Sequence, residues 1–195
     1  MAEITPRYEF RVWGQALGHL RDRLAQRGAV SRTESSEETY LVSAHSDRCN
    51  AKIRNHLMDI KLLVGTYREL EQWQPVLKAE FPLTQSQVAV QLFPRLELAA
   101  PPLSRPQYAI DELLNEVVGT HPQIAVVKVC KHRVQFSVDG CQAEFASTMI
   151  GGVARETVAV ESIEAQAVVQ LIRALGIDGA PNISYVRAIK QVLGR

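Results

Sequence analysis

The chain is poor in cysteine: Cys49, Cys130 and Cys141 are the only three in 195 residues. An odd, widely spaced set excludes the disulfide framework of a small secreted domain. With no C-x-x-C there is neither a zinc knuckle nor a thioredoxin-like motif, and Cys130 reads as a small hydrophobe within a strand. No apolar run approaches the ~20 residues that span a bilayer, and the opening MAEITPRYEFRVW has no apolar signal core. The expected setting is therefore the reducing cytoplasm, with no membrane partner. Charge of one sign is scarce as well. Lys+Arg number 22 and Asp+Glu 21, a formal net charge of +1, which lacks the basic excess of a nucleic-acid-binding domain. Also missing are a glycine-rich strand-to-helix loop, H-E-x-x-H and G-x-S-x-G, which removes dinucleotide, P-loop, zinc-protease and serine-hydrolase chemistry. His19, His45, His56, His121 and His132 stand too far apart in sequence for metal-ligand spacing; His132, on the apolar side of its strand, reads as a structural histidine.

What is present is enough hydrophobic material, 46% of residues, to fill a sizeable core, and the length suits a single domain over 1–195. Period-two alternation predicts a first strand at Tyr8–Trp13, and leucines at positions 17, 20 and 24 predict a helix over 15–27 that stops at Gly28. A short strand at Glu38–Ser43 follows. Ala51–Arg54 and Met58–Val64 form a predicted hairpin, residues 66–73 read as a turn or short helix, and Val76–Phe81 alternates again. Gln87–Phe93 is apolar and of no settled type. Pro94, Pro101, Pro102 and Pro106 make 94–106 a loop crossing. Tyr108–Val118 is a predicted helix. The clearest strand signal is 124–138, turned by Asp139-Gly140 into Gln142–Thr148, which Gly151-Gly152 turns into Val153–Glu161. Ser162 caps a predicted helix to about Leu175, and Asn182 or Ser184 starts a last one through Leu193. Seven or eight mostly antiparallel strands with helices between and after them define an α+β class.

The polar side of these strands has a particular composition. It contains Glu9 and Arg11, Lys52 and Arg54, Asp59 and Lys61, Lys78 and Glu80, Lys131 and Arg133, Glu144, Arg155 and Glu161. Cations recur two apart, which places both members of a pair on one face, roughly 7 Å from one another. Two readings follow. The side chains form a solvated outer face laced with cross-strand ion pairs, or they point into a cleft or barrel where their repulsion is relieved by carboxylates or an anionic guest. Arginine forks and lysine ammoniums suit phosphate oxygens, and the interspersed glutamates suit a hard divalent cation.

Several segments resemble the CYTH domains, or triphosphate tunnel metalloenzymes, a family that includes thiamine triphosphatases, inorganic triphosphatases and one class of adenylate cyclase. YEFRVW resembles the family's opening glutamate-x-glutamate-x-lysine strand. EETYLVS, residues 37–43, resembles its aspartate-threonine-tyrosine run. NAKIRNHLMDIKLLV, VLKAEF, KHR, DGCQAEF and VAVES resemble the later basic and acidic strands, and NISYVRAIKQVLG the closing helix with Ser184 and Tyr185. The resemblance covers nearly the whole chain. It implies an eight-stranded antiparallel β-barrel, a tunnel, with flanking helices. It assigns triphosphate contact to Arg11, Lys52, Arg54, Lys61, Lys78, Lys131, Arg133 and Arg155. It assigns Mg or Mn to Glu9, Glu80, Glu144 and Glu161.

The chain departs from the pattern where metal would be held. The opening motif offers Glu9 and Arg11, then Trp13 where a lysine belongs, and Ala159 stands where the closing strand would place a second carboxylate. A site with fewer carboxylates and the same cations still holds an anion. The expected function is therefore binding of a phosphorylated polyanion (triphosphate, nucleotide or polyphosphate) with weak or absent catalysis, with or without Mg or Mn. An Mg-dependent triphosphate phosphohydrolase or adenylate-cyclase-like enzyme, and a non-catalytic structural domain, remain the alternatives.

Overall fold

The structure, a computed structural model, describes residues 5–194; the first four residues of the opening segment and Arg195 lie outside the described residues. Eight strands close into an antiparallel barrel in the order β1 (Arg7–Gly14), β10 (Val153–Ser162), β9 (Cys141–Ile150), β8 (Ile124–Val138), β2 (Ala29–Ser43), β3 (Cys49–Arg54), β4 (Leu57–Tyr67) and β5 (Leu70–Glu80), with β5 returning to β1. A small separate ladder joins β6 (Leu83–Thr84) to β7 (Gln107–Tyr108). The helices are α1 (Gly18–Arg27), a short α2 (Ile110–Glu112) that continues in π geometry through Val118, α3 (Ala165–Ala174) and α4 (Tyr185–Val192). Among the described residues no helix is long and apolar enough to cross a membrane.

The hairpins form where the backbone tolerates positive φ. Asp139 and Gly140 adopt φ 49° and 77° between β8 and β9, and Asn55 and His56 adopt 51° and 59° between β3 and β4. Turns with both central residues at positive φ match the right-handed strand twist. Ser184 caps α4, its Oγ accepting from the Arg187 N–H at 3.4 Å. Ser162 accepts from the Glu164 N–H at 3.2 Å, just ahead of α3.

The apolar and polar rows of each strand separate in an unusual direction: the greasy row points out. Phe10, Val12, Phe136, Phe145, Val158 and Val160 pack outside the barrel against Leu20 and Leu24 of α1 and Val168, Val169, Leu171 and Ile172 of α3. On the opposite flank Ala51, Ile53, Met58 and Ile60 pack against the 83–118 excursion, including Leu92, Phe93, Tyr108 and Leu113. A third cluster closes one end. Val186 and Ile189 of α4 sit against Tyr40, Val42, Val127, Val129 and Ile150. These are rows that continue the lumen face of β2, β8 and β9, so α4 covers the barrel end.

Several elements differ from the sequence expectation. β2 begins at Ala29, nine residues before the predicted start, because β8 pairs with it along its length. Residues 66–73 form the ends of a β4–β5 hairpin, turning at Arg68 with φ 54°. Gln87–Leu92 is a π-helical stretch, followed by a 3-10 turn at Phe93–Leu96 with Pro94 near its start. Cys130 is not a buried hydrophobe: it is exposed on the outer face, its Sγ 3.8 Å from Glu37 Oε2. His132 is also exposed, with Nδ1 3.0 Å from Ser35 Oγ.

Candidate functional site

The inward rows line a cavity of about 250 Å³, just under the ~300–1,000 Å³ of ordinary small-molecule sites. Arg11 and Glu9 reach it from β1, Glu161 from β10, Glu144 from β9, Lys131 and Arg133 from β8, Lys52 and Arg54 from β3, and Lys61 from β4. A second chamber of about 240 Å³ adjoins it, sharing Glu9, Lys61 and Glu161 and extending past Trp73 and Pro75.

Glu38 of β2 organises one wall. It is fully buried and accepts from Lys131 Nζ at 2.8 Å, Lys52 Nζ at 3.1 Å, Arg54 Nη1 at 3.5 Å and the Tyr40 hydroxyl at 3.1 Å. Burial pushes its carboxyl up, but Lys131 and Lys52 outweigh burial and hold it at about 2. Lys131 also donates to Tyr40 Oη at 2.8 Å and lies 3.6 Å from the Tyr185 ring centroid. Burial, reinforced by neighbouring Lys52, lowers its ammonium to about 7 despite Glu38. Burial likewise lowers Lys52, against the pull of Glu38. Counting Asp59 on β4, four cations on this side face two carboxylates.

The remaining charges form a chain of ion pairs in which three guanidiniums meet four carboxylates. Arg11 Nε donates to Glu9 Oε1 at 2.9 Å and its Nη1 to Glu144 Oε1 at 3.3 Å. Arg133 Nη1 lies 3.5 Å from Glu144 Oε2, and its Nη2 pairs with Glu34. Burial raises both Glu9 and Glu144, but the neighbouring cations together outweigh it and lower both, Arg11 and Lys61 at Glu9 and Arg11, Lys131 and Arg133 at Glu144. Glu161 takes Arg7 at 2.9 Å. The excess positive charge therefore collects on the Lys52, Arg54, Lys61 and Lys131 side. Arg133 Nε, Asn50 Oδ1 and the Tyr185 hydroxyl are buried at this lumen with no hydrogen-bond partner among the described residues.

Three residues singled out from sequence stand apart. Lys78 shares a cross-strand row with Asp59 but is exposed and outside the cavity lining, and Glu80, opposite Leu57 near the end of β5, is exposed too. Arg155, opposite Thr148, lies toward the end that α4 covers, lining a crevice with Trp13 and Ala188 and donating to the Ala154 carbonyl at 3.0 Å. Sequence reasoning omitted Glu38, Glu34, Asn50 and Asp59 from the site. The parity of Glu34, Ser36, Glu38 and Tyr40 along β2 was the available signal, masked by placing the strand start at Glu38.

No family model matches the sequence, and no curated protein is similar to it. Solved structures are similar across almost the full length. A conserved hypothetical protein from Pyrococcus furiosus is 15% identical, with a TM-score of 0.53, over 91% of this chain and 98% of that one. The PH1012 protein from Pyrococcus horikoshii OT3 is 13% identical, with a TM-score of 0.53, over 93% and 96%. The PH1819 protein from the same organism is 16% identical, with a TM-score of 0.50, over 96% and 100%. The fold is CYTH-like. At these identities the likeness is one of architecture alone.

A CYTH-like lumen raises the matter of a divalent ion, and the donor set answers it through Arg11. Of the four glutamates assigned to metal, Glu9, Glu144 and Glu161 line the cavity and Glu80 does not. The Arg11 guanidinium spans Glu9 and Glu144, so one oxygen of each is already taken by an N–H donor. Among the described residues no group of three or more His, Cys, Asp or Glu is placed to hold a metal. As they stand, these side chains do not fit such an ion.

Proposed function

We propose that the protein binds a compact phosphorylated anion in the barrel lumen, against Lys52, Arg54, Lys61 and Lys131, and retains it with little or no turnover. The observation that carries this reading is the sharing of one buried carboxylate, Glu38, by three cations at 2.8–3.5 Å. Like charges packed at that density in a low-dielectric space repel strongly, and one carboxylate offsets only part of it. An anion with several oxygens relieves the remainder and supplies partners for the buried Arg133 Nε and Tyr185 hydroxyl. Arginine forks and lysine point charges are the usual grip on phosphate. The small enclosed volume and the balanced net charge favour a small molecule such as a triphosphate, a nucleotide or a short polyphosphate over nucleic acid.

The test is calorimetric titration with tripolyphosphate and nucleoside triphosphates in the presence of EDTA. Binding is expected without metal. Lys52→Ala combined with Arg54→Ala is expected to weaken it by roughly a hundredfold or more, since each charge-assisted hydrogen bond contributes ~1.5–3 kcal/mol. Unchanged affinity in that double variant overturns the reading. The competing reading, an Mg- or Mn-dependent triphosphate hydrolase or cyclase, requires Arg11 to release Glu9 and Glu144 before an ion can use them. Metal-dependent release of phosphate or pyrophosphate, abolished by Glu144→Gln, would select it.

A further inference from the structure

We infer that Arg11 is a resident cation: its guanidinium takes the place between Glu9 and Glu144 that a divalent ion takes in a carboxylate site, and so adapts the lumen to hold an anion without metal. This deepens the anion-binding reading and rests on it. The side chain is 8% exposed and held through Nε and Nη1. Nε donates to Glu9 at 2.9 Å, Nη1 to Glu144 at 3.3 Å and to Thr157 Oγ1 at 3.2 Å, and the guanidinium carbon sits 4.5 Å from the Tyr185 ring centroid. Its backbone is held equally firmly. The Arg11 N–H donates to Asn182 Oδ1 at 2.9 Å and its carbonyl accepts from the Ile183 N–H at 2.9 Å. Asn182 Nδ2 donates to the Glu9 carbonyl at 3.1 Å, so the segment leading into α4 clamps both members of the pair.

A guanidinium in this position shares one property with a metal ion and lacks another. It is a fixed positive charge between two carboxylates that would otherwise repel an incoming phosphate; its single charge offsets half of theirs, and Lys61 at Glu9 and Lys131 and Arg133 at Glu144 add to it. It has no open coordination position, so it neither lowers the pKa of a bound water nor templates an in-line displacement. It also stays charged at any pH a folded protein meets, and chelators do not remove it. Retention without turnover is the expected result.

The inference is tested by manganese binding, followed by the loss of the free Mn²⁺ EPR signal, with no anion present; its outcome is then independent of whether the lumen binds tripolyphosphate. The wild-type protein is expected to take up no Mn²⁺ at this site. Arg11→Ala frees Glu9 and Glu144 and is expected to bind the ion at least tenfold more tightly than the weakest binding the titration would detect in wild type, and adding Glu144→Gln to that variant is expected to remove the gain. Arg11→Gln, which keeps hydrogen-bonding capacity while losing the charge, serves if the alanine variant fails to fold and is expected to show the same gain. Uptake by wild type equal to that of the variants, or no uptake by a variant whose circular dichroism is native, overturns the inference.

Discussion

Glu38 carries opposite consequences for the empty and the occupied lumen. It quiets Lys131, Lys52 and Arg54, and it also competes with any anion for the same donors. Glu38→Gln should therefore destabilise the anion-free protein by about 3–5 kcal/mol, the cost of leaving buried charges without their partner. The same substitution should raise tripolyphosphate affinity about tenfold or more. Thermal melts with and without the anion, together with calorimetry, read both effects; an affinity that falls sinks the assignment of Glu38 as competitor. The sequence displayed the cation pairs clearly, since Lys131, Arg133 and Gln135 alternate without interruption. It did not display Glu38's role, because the Glu38 partners lie 14, 16 and 93 positions away and no local pattern encodes them. Nor does alternation encode depth. Lys78, Glu80 and Arg155 were grouped with the polar rows, yet they sit toward strand ends, where a row leaves the lumen.

At the scale of elements, α3 contributes to stability without touching the site. Leu171 is 1% exposed in the cluster outside the barrel. Leu171→Ala should cost about 2–5 kcal/mol in urea unfolding through lost burial and the cavity left behind, with the affinity of the remaining folded protein for tripolyphosphate unchanged. A loss of affinity in parallel with stability would mean that the outer core and the lumen are not separable. Most elements were legible: the 124–138 strand, the Asp139-Gly140 turn and the Ser184 cap all rest on local chemistry. The first half of β2, AVSRTESS, was not, because its side chains are largely exposed and it is a strand through pairing with β8. The π-helical stretches were not legible either, since they arise where apolar residues pack against the barrel flank rather than from any propensity.

For the molecule as a whole, protons and the guest anion act through the same charges. Glu38 stays ionised in the folded chain to about pH 2, whereas an unfolded glutamate protonates near ~4.3. Its contribution to stability is complete above about pH 4.3 and is lost as pH falls toward 2. Lys131 behaves in the reverse sense: its folded value is about 7 and its unfolded value ~10.4, so the unfolded chain binds more protons between them and stability rises with pH across that window. Anion binding favours the protonated ammonium. Affinity for tripolyphosphate should fall as pH rises above about 7, with proton uptake on binding that disappears in Lys131→Met. Calorimetry in two buffers of different ionisation enthalpy measures that uptake; an affinity flat from about pH 6 to 9 would remove Lys131 from the contact set.

The outward direction of the apolar rows has a consequence for how this protein can change. In an ordinary barrel filled with aliphatic side chains, altering the interior means dismantling the core. Here most cohesion lies between the strands and their helical jacket, so lumen positions outside the Glu38 network and the α4-covered end are released from holding the molecule together. New chemistry can be written on the inner wall one residue at a time, whereas stripping away the jacket would leave a sheet whose exterior is too greasy to remain dispersed in water.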